Sequence, residues 1–193
     1  MRSERRLARL ESVIRHRQTD LTVVLENIHD PHNVSAILRS CDAAGVMEVQ
    51  LVYTTETYPK LGKKSSASAK KWVEHRAFKG IEDCFAKLHK EGYAIYATHL
   101  SKGSVPLYGL DLTGKIALVF GNEHRGVSEE VAQHADGNFM IPMFGMIQSL
   151  NVSVACAVSL FEAVRQRILG GHYVSSSFSE KEIKKLLKTW AMK

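Results

Sequence analysis

The sequence predicts an α/β fold, a mostly parallel sheet with helices on both faces, on three observations. Apolar runs of strand length, such as Leu21–Leu25, Tyr93–Thr98 and Ile116–Phe120, alternate with segments of helical period. Helices carry their own boundary signals, as where Asp30-Pro31 opens one and Gly45 stops it. Polar loops follow the strands that end at Leu25, Phe120 and Ile141, and in such sheets ligands bind at the carboxyl ends of strands.

Taken in order, residues 3–17 read as a helix, with Leu7, Leu10, Val13 and Ile14 on one stripe and arginines elsewhere. Leu21–Leu25 is a strand, Asp30–Ala44 a helix, and Glu48–Tyr53 the next strand. Residues 54–70 are polar and carry Lys63-Lys64, with a second pair, Lys70-Lys71, at their end. Trp72–Phe78 reads as a strand and Glu82–Lys90 as a helix closing at Gly92. Strands Tyr93–Thr98 and Ile116–Phe120 precede a helix over Val127–Ala135, with Ser128 near its start. Asn138–Ile141 is a strand, Leu150–Ile168 a long helix rich in small residues, and Glu180–Trp190 a terminal basic helix. The long helix is either deeply packed or an oligomer seam.

The 193 residues fit one domain with appended segments: a basic helical arm over 1–18, an α/β domain over 19–170 and a basic helical tail over 171–193. No apolar run reaches membrane-spanning length, and the N-terminus lacks a signal peptide's apolar stretch. Cys41, Cys84 and Cys156 are widely spaced, as expected for reduced thiols in a cytoplasmic protein. Residues 1–18 and 180–193 together hold 11 of the 26 basic residues and 4 of the 20 acidic ones, so the ends carry +7 and the remainder −1. Basic ends around a nearly neutral middle suit a polyanionic partner, against the plainer reading of solvated amphipathic helices.

Chemistry concentrates in three loops. The first runs Glu26-Asn27-Ile28-His29-Asp30-Pro31-His32-Asn33, with Arg39 less than two turns beyond Asn33. An arginine on an otherwise apolar helix flank is expected to meet a carboxylate or a phosphate. The second, Gly121-Asn122-Glu123-His124-Arg125-Gly126-Val127-Ser128, brushes the phosphate-loop pattern but has Val127 where the lysine belongs, which excludes a nucleotide triphosphatase. No Gly-x-Gly-x-x-Gly opens a helix, and the nine histidines show no ligand spacing, so neither a dinucleotide site nor a metal is expected. Ser149 lacks the partners of a hydrolase triad. The third stretch, Ile141 to Ala155, places Gln148, Ser149 and Asn151 at the mouth of the long helix. There unpaired backbone N–H groups can hold a ligand, or an Asn or Ser can simply cap the helix.

In order, the three loops resemble the signature motifs of the SPOUT methyltransferases, specifically the TrmH-type tRNA ribose 2′-O-methyltransferases. The resemblance covers nearly the whole chain, and none of the five polar motif positions Asn33, Arg39, Glu123, Ser149 and Asn151 departs from the pattern. It implies a C-terminal trefoil knot and a homodimer whose site is completed across the subunit interface. It also implies S-adenosylmethionine bound by Thr98, Gly121, Ile141, Met143, Ser149 and Leu150, and tRNA as substrate, with guanosine 18 of the D-loop as target. Related enzymes acting on ribosomal RNA usually carry a separate N-terminal domain, and those acting on the wobble nucleotide are trimmed at both ends. This chain, with one helix before its first strand, fits neither as well. A non-catalytic RNA-binding protein is the rival of another class, and the intact polar positions count against it.

A ribose 2′-hydroxyl must lose its proton while it attacks the methyl group in line, so the enzyme must align two reactants and assist deprotonation. The residue in Arg39's place serves as the family's proposed general base. That is demanding chemistry, because a guanidinium is ordinarily charged; the alternative is a charged group that binds phosphate and steadies the developing alkoxide. Both roles stand at this point; Asn33 and Glu123 are expected to orient Arg39 or the ribose.

Overall fold

The run Leu21–Glu26 (β1) is buried at every position, and its side chains divide by parity. Leu21, Val23 and Leu25 enter one apolar cluster and Val24 enters the other. Ile116–Phe120 (β6) divides likewise, with Ile116, Leu118 and Phe120 on one face and Ala117 and Val119 on the opposite face. A period of two with both faces apolar marks a central strand of a doubly covered sheet.

In the computed structural model, which describes residues 3–61 and 69–193, these two strands are neighbours. The other strands are Glu48–Val52 (β2), Glu74–Phe78 (β3), Ala94–Thr98 (β4), Val105–Pro106 (β5) and Gly137–Met140 (β7). The order is β3-β2-β1-β6-β4-β7-β5, with every pairing parallel. The predicted α/β class with a mostly parallel sheet is therefore correct. After β3 the chain turns back to β4, so the order reverses around β1 and β6, the usual location of a ligand crevice.

One face is covered by helices Pro31–Ala43 (α2) and Val152–Leu169 (α6), the other by Ile81–Lys90 (α4) and Glu129–His134 (α5). Asp30 caps α2 by accepting from His32 N–H, with Pro31 in its first turn. Gly45 then stops it in a left-handed conformation (φ +80°), and a Cβ there would lie 2.7 Å from the His16 carbonyl. Ser128 caps α5 through Val131 N–H.

Several boundaries differ from expectation. Trp72 ends a short helix, Ala69–Trp72 (α3), and β3 begins only at Glu74. The long helix starts at Val152 rather than Leu150, because Asn151 caps it. The pair β5 and a 3-10 turn at Leu107–Gly109 had no signal, being too short for periodicity to register. Lys63-Lys64 lies outside the described residues.

The terminal helices, Glu4–Arg15 (α1) and Glu180–Ala191 (α7), pack against each other. Leu10, Ile14, Ile183, Trp190 and Ala191 form their shared cluster, and Arg15 bridges to Glu180 at 2.7 Å. Buried Arg17 lies 5.2 Å from the Trp190 ring centroid and pairs with Asp42. Among the described residues no helix is long and apolar enough to cross a membrane.

Candidate active site

Because β1 and β6 are adjacent and in register at Leu25 and Phe120, the loops that follow them emerge side by side. Asn122 Nδ2 donates to the Asn27 carbonyl at 2.9 Å, and Asn122 Oδ1 accepts from His124 N–H. Gly121 is required by close approach: a Cβ there would meet the Gly126 carbonyl at 2.2 Å.

This pairing presents Glu123 to the start of α2. Its carboxylate accepts from His29 N–H (3.0 Å), Asp30 N–H (3.1 Å) and Asn33 Nδ2 (2.9 Å). Burial alone pushes the Glu123 pKa up, but the hydrogen bonds from Asn33 and the backbone outweigh it and hold the carboxyl below its ordinary range. Buried Asn33 is used at both ends, because its Oδ1 accepts from Asn151 Nδ2 at 3.0 Å. Asn151 meanwhile caps α6 through its own Oδ1. The capping reading and the ligand-loop reading of Asn151 thus describe one residue doing both.

A cleft of about 830 Å³ opens beside this chain of groups, at the carboxyl ends of β4, β6 and β7. All six residues expected to hold a cofactor line it: Thr98, Gly121, Ile141, Met143, Ser149 and Leu150. Thr98 is tied to the sheet through the Val119 carbonyl. Much of the remaining lining is apolar and open to solvent, including Leu100 (76 % exposed) and Ile147 (73 %). Exposed apolar walls beside fixed backbone polar groups suit a bound heterocycle and ribose.

The five polar motif positions are only partly brought together. Asn33, Glu123 and Asn151 form one hydrogen-bonded chain, and Glu123 and Ser149 line the cleft. Arg39 does not join them. It is exposed, contrary to the reading that placed it paired on an apolar flank, and among the described residues it has no hydrogen-bond or ion-pair partner. The reason is angular: six residues at 100° each rotate Arg39 well away from Asn33, onto the solvent stripe with His32. Asn33 and Glu123 therefore do not orient Arg39 here.

Three residues at the site had no role assigned from sequence: Asn27 and Arg125 stand there only as loop members, and Glu56 is unmarked. Asn27 is the one non-glycine with positive φ (50°) among the described residues, and its Oδ1 accepts from the N–H groups of Thr54, Thr55 and Glu56. Glu56 and Arg125 meet at 2.9 Å beside the cleft. The only signal was an Asn directly after a strand, a residue that tolerates the left-handed region.

The fold and the three converging loops define an α/β enzyme with an open cleft at its strand ends, and the chain belongs to the SpoU rRNA Methylase family, whose model matches residues 20–161. It is 46% identical over 192 residues to the tRNA (guanosine(18)-2′-O)-methyltransferase of Thermus thermophilus, covering 100% of this chain and 98% of that one. The solved structure of the Aquifex aeolicus TrmH/SpoU tRNA modifying enzyme superposes with a TM-score of 0.91 at 42% identity, over 98% of this chain and 96% of that one. The SpoU methyltransferase AviRb from Streptomyces viridochromogenes, solved with AdoMet, gives a TM-score of 0.72 at 25% identity, over 79% and 63%.

Proposed function

We propose that this chain transfers a methyl group from S-adenosylmethionine to the ribose 2′-hydroxyl of guanosine 18 in tRNA. The carrying observation is the chain Glu123–Asn33–Asn151, which joins all three loops beside the cleft. The likeness to a tRNA guanosine-18 enzyme extends over both basic ends, which supports tRNA over ribosomal RNA.

S-adenosylmethionine supplies an electrophilic methyl on a sulfonium centre. The cleft fits it in size and in its mixture of apolar wall and backbone groups, with Thr98, Gly121, Ile141, Met143, Ser149 and Leu150 as the holding residues. Glu123, Asn33 and Asn151 fix the cleft's rim: each makes at least one hydrogen bond to another loop, which sets their relative positions. Glu123, with a lowered pKa and three donors on it, is a poor proton acceptor and acts as a positioning residue. Ser149 lines the cleft, and Asn151, through its bond to Asn33, holds the loop that would face the ribose.

Arg39 is the catalytic residue of this reading. Exposed, and without a carboxylate partner among the described residues, its guanidinium is free to bind a phosphate of the target and steady the alkoxide as the proton leaves. Its place away from its own cleft fits a site completed by a second copy, hence a homodimer. Val154, Phe161 and Ile168, spaced by seven on α6, are 46–60 % exposed, and Phe144 and Met146 are 99 % or more exposed, so an apolar face stands ready for that copy. The reading includes a trefoil knot: residues 141–151 cross from β7, near one sheet edge, to α6, which packs on α2 over β1. It also keeps a core over 19–170 flanked by basic segments, here acting as one unit through α1 and α7.

The test is Arg39→Ala against Arg39→Lys. Alanine should cost about 10²–10³ in turnover on an unmodified tRNA transcript, with S-adenosylmethionine binding retained by calorimetry. Retained turnover would sink the assignment.

A further inference from the structure

Among the described residues, Arg125 is the sole arginine or lysine lining the cleft. One nitrogen, Nη2, meets Glu56 Oε1 at 2.9 Å and Thr55 Oγ1 at 3.3 Å. Its remaining side-chain donors have no partner among the described residues, and the side chain is 60 % exposed. An exposed pair of this kind contributes little to stability.

The scaffold behind the pair is out of proportion to that contribution. Asn27, buried and in the left-handed region, accepts three N–H groups from Thr54–Glu56 on one oxygen. Its carbonyl accepts from Asn122, which holds the Arg125 N–H at 3.3 Å. Buried groups thus fix both loops from the ends of neighbouring strands, placing a carboxylate at a rim that a polyanion must approach. Glu56 has a second neighbour, His29 Nδ1 at 3.3 Å, and the His29 N–H is bound to Glu123.

We infer that Arg125 is an RNA-binding residue held in reserve by Glu56, exchanging that carboxylate for a phosphodiester of the substrate. The inference rests on the RNA-methyltransferase reading above. A phosphate docks first on the open edge of the guanidinium, so the pair need not break beforehand. Two acceptors then compete for one fork, and the phosphate, able to take two parallel N–H bonds, displaces a carboxylate that holds only one. A ligand with no phosphate at this position leaves the Arg125–Glu56 pair closed and gains nothing from the guanidinium, so the pair favours a nucleic-acid strand correctly placed over the cleft.

Steady-state methylation of an unmodified tRNA transcript, with calorimetry of S-adenosylmethionine, tests this in Arg125→Ala, Glu56→Gln and the double variant. Arg125→Ala should raise KM for the transcript about tenfold, change kcat much less, and make the salt dependence of tRNA binding shallower by about one unit of slope. Glu56→Gln should lower KM about threefold, a gain largely lost in the double variant. Glu56→Gln raising KM overturns the inference, since Glu56 would then be a mere support for Arg125. Weakened S-adenosylmethionine binding in Arg125→Ala with tRNA binding unchanged also overturns it, by assigning the guanidinium to the cofactor's carboxylate. A wild-type protein inert on every RNA offered is a different failure, that of the underlying reading.

Discussion

Asn151 Nδ2 donates to Asn33 Oδ1 at 3.0 Å across 118 residues of sequence, and the same Asn33 donates from Nδ2 to Glu123. The amide is directional: oxygen toward one partner, nitrogen toward the other. Asn33→Asp keeps the shape but turns an oxygen toward the Glu123 carboxylate. It should destabilise the protein by about 1–3 kcal/mol in urea unfolding, more than Asn33→Ala, with methyl transfer lost in both. Equal stability of Asn33→Asp and wild type would break the proposed chain.

The same chain has a pH signature. The Glu123 pKa is lowered in the folded protein, so its contribution to stability is complete above the unfolded value of about 4.3 and fades as pH falls through the folded one. The stability difference between wild type and Glu123→Gln should be flat from about pH 7 to 5 and should shrink on further acidification. A difference that grows with acid has the wrong sign.

Gly121→Ala inserts a Cβ 2.2 Å from the Gly126 backbone, where no flexible side chain can yield. The expected result is a loss of about 2 kcal/mol or more in stability together with weakened S-adenosylmethionine binding, read by thermal melts and calorimetry. Gly145, also at the cleft, has nothing within 4 Å of its would-be Cβ, so Gly145→Ala is the control expected to melt like wild type.

The sheet was legible because β1 and β6 are apolar on both faces and the helices carry real caps, Asp30 and Ser128 among them. The lining of the cleft was legible only through the resemblance, because its six residues, Thr98, Gly121, Ile141, Met143, Ser149 and Leu150, lie at or after the ends of three different strands. What failed was side-chain direction. Sequence spacing placed Arg39 near Asn33, but the helical rotation between them sets it in solvent. Glu56 was missed because nothing local marks it. Its position comes from Asn27, 29 residues away and paired only once β1 and β2 lie side by side. The packing of α1 on α7 was hidden for the same reason, since each amphipathic stripe alone says only that something covers it.

Arg5, Arg6 and Arg9 line a second cleft with Trp72 and Trp190, and among the described residues none of the three forms an ion pair. Changing all three to Gln should leave the α1–α7 cluster intact. It should weaken tRNA binding and make the salt slope shallower by about 2–3, at roughly 0.7–0.9 per contact. An unchanged slope removes the basic segment from the RNA interface.

The most direct measurement is methyl transfer from S-adenosylmethionine to an unmodified tRNA transcript, with the modified nucleotide mapped, beside an identical transcript carrying 2′-deoxyguanosine at position 18. One 2′-O-methylguanosine is expected at position 18 in the first transcript and none in the second. Methylation at another nucleotide, or equal methylation of both transcripts, would contradict the proposed function.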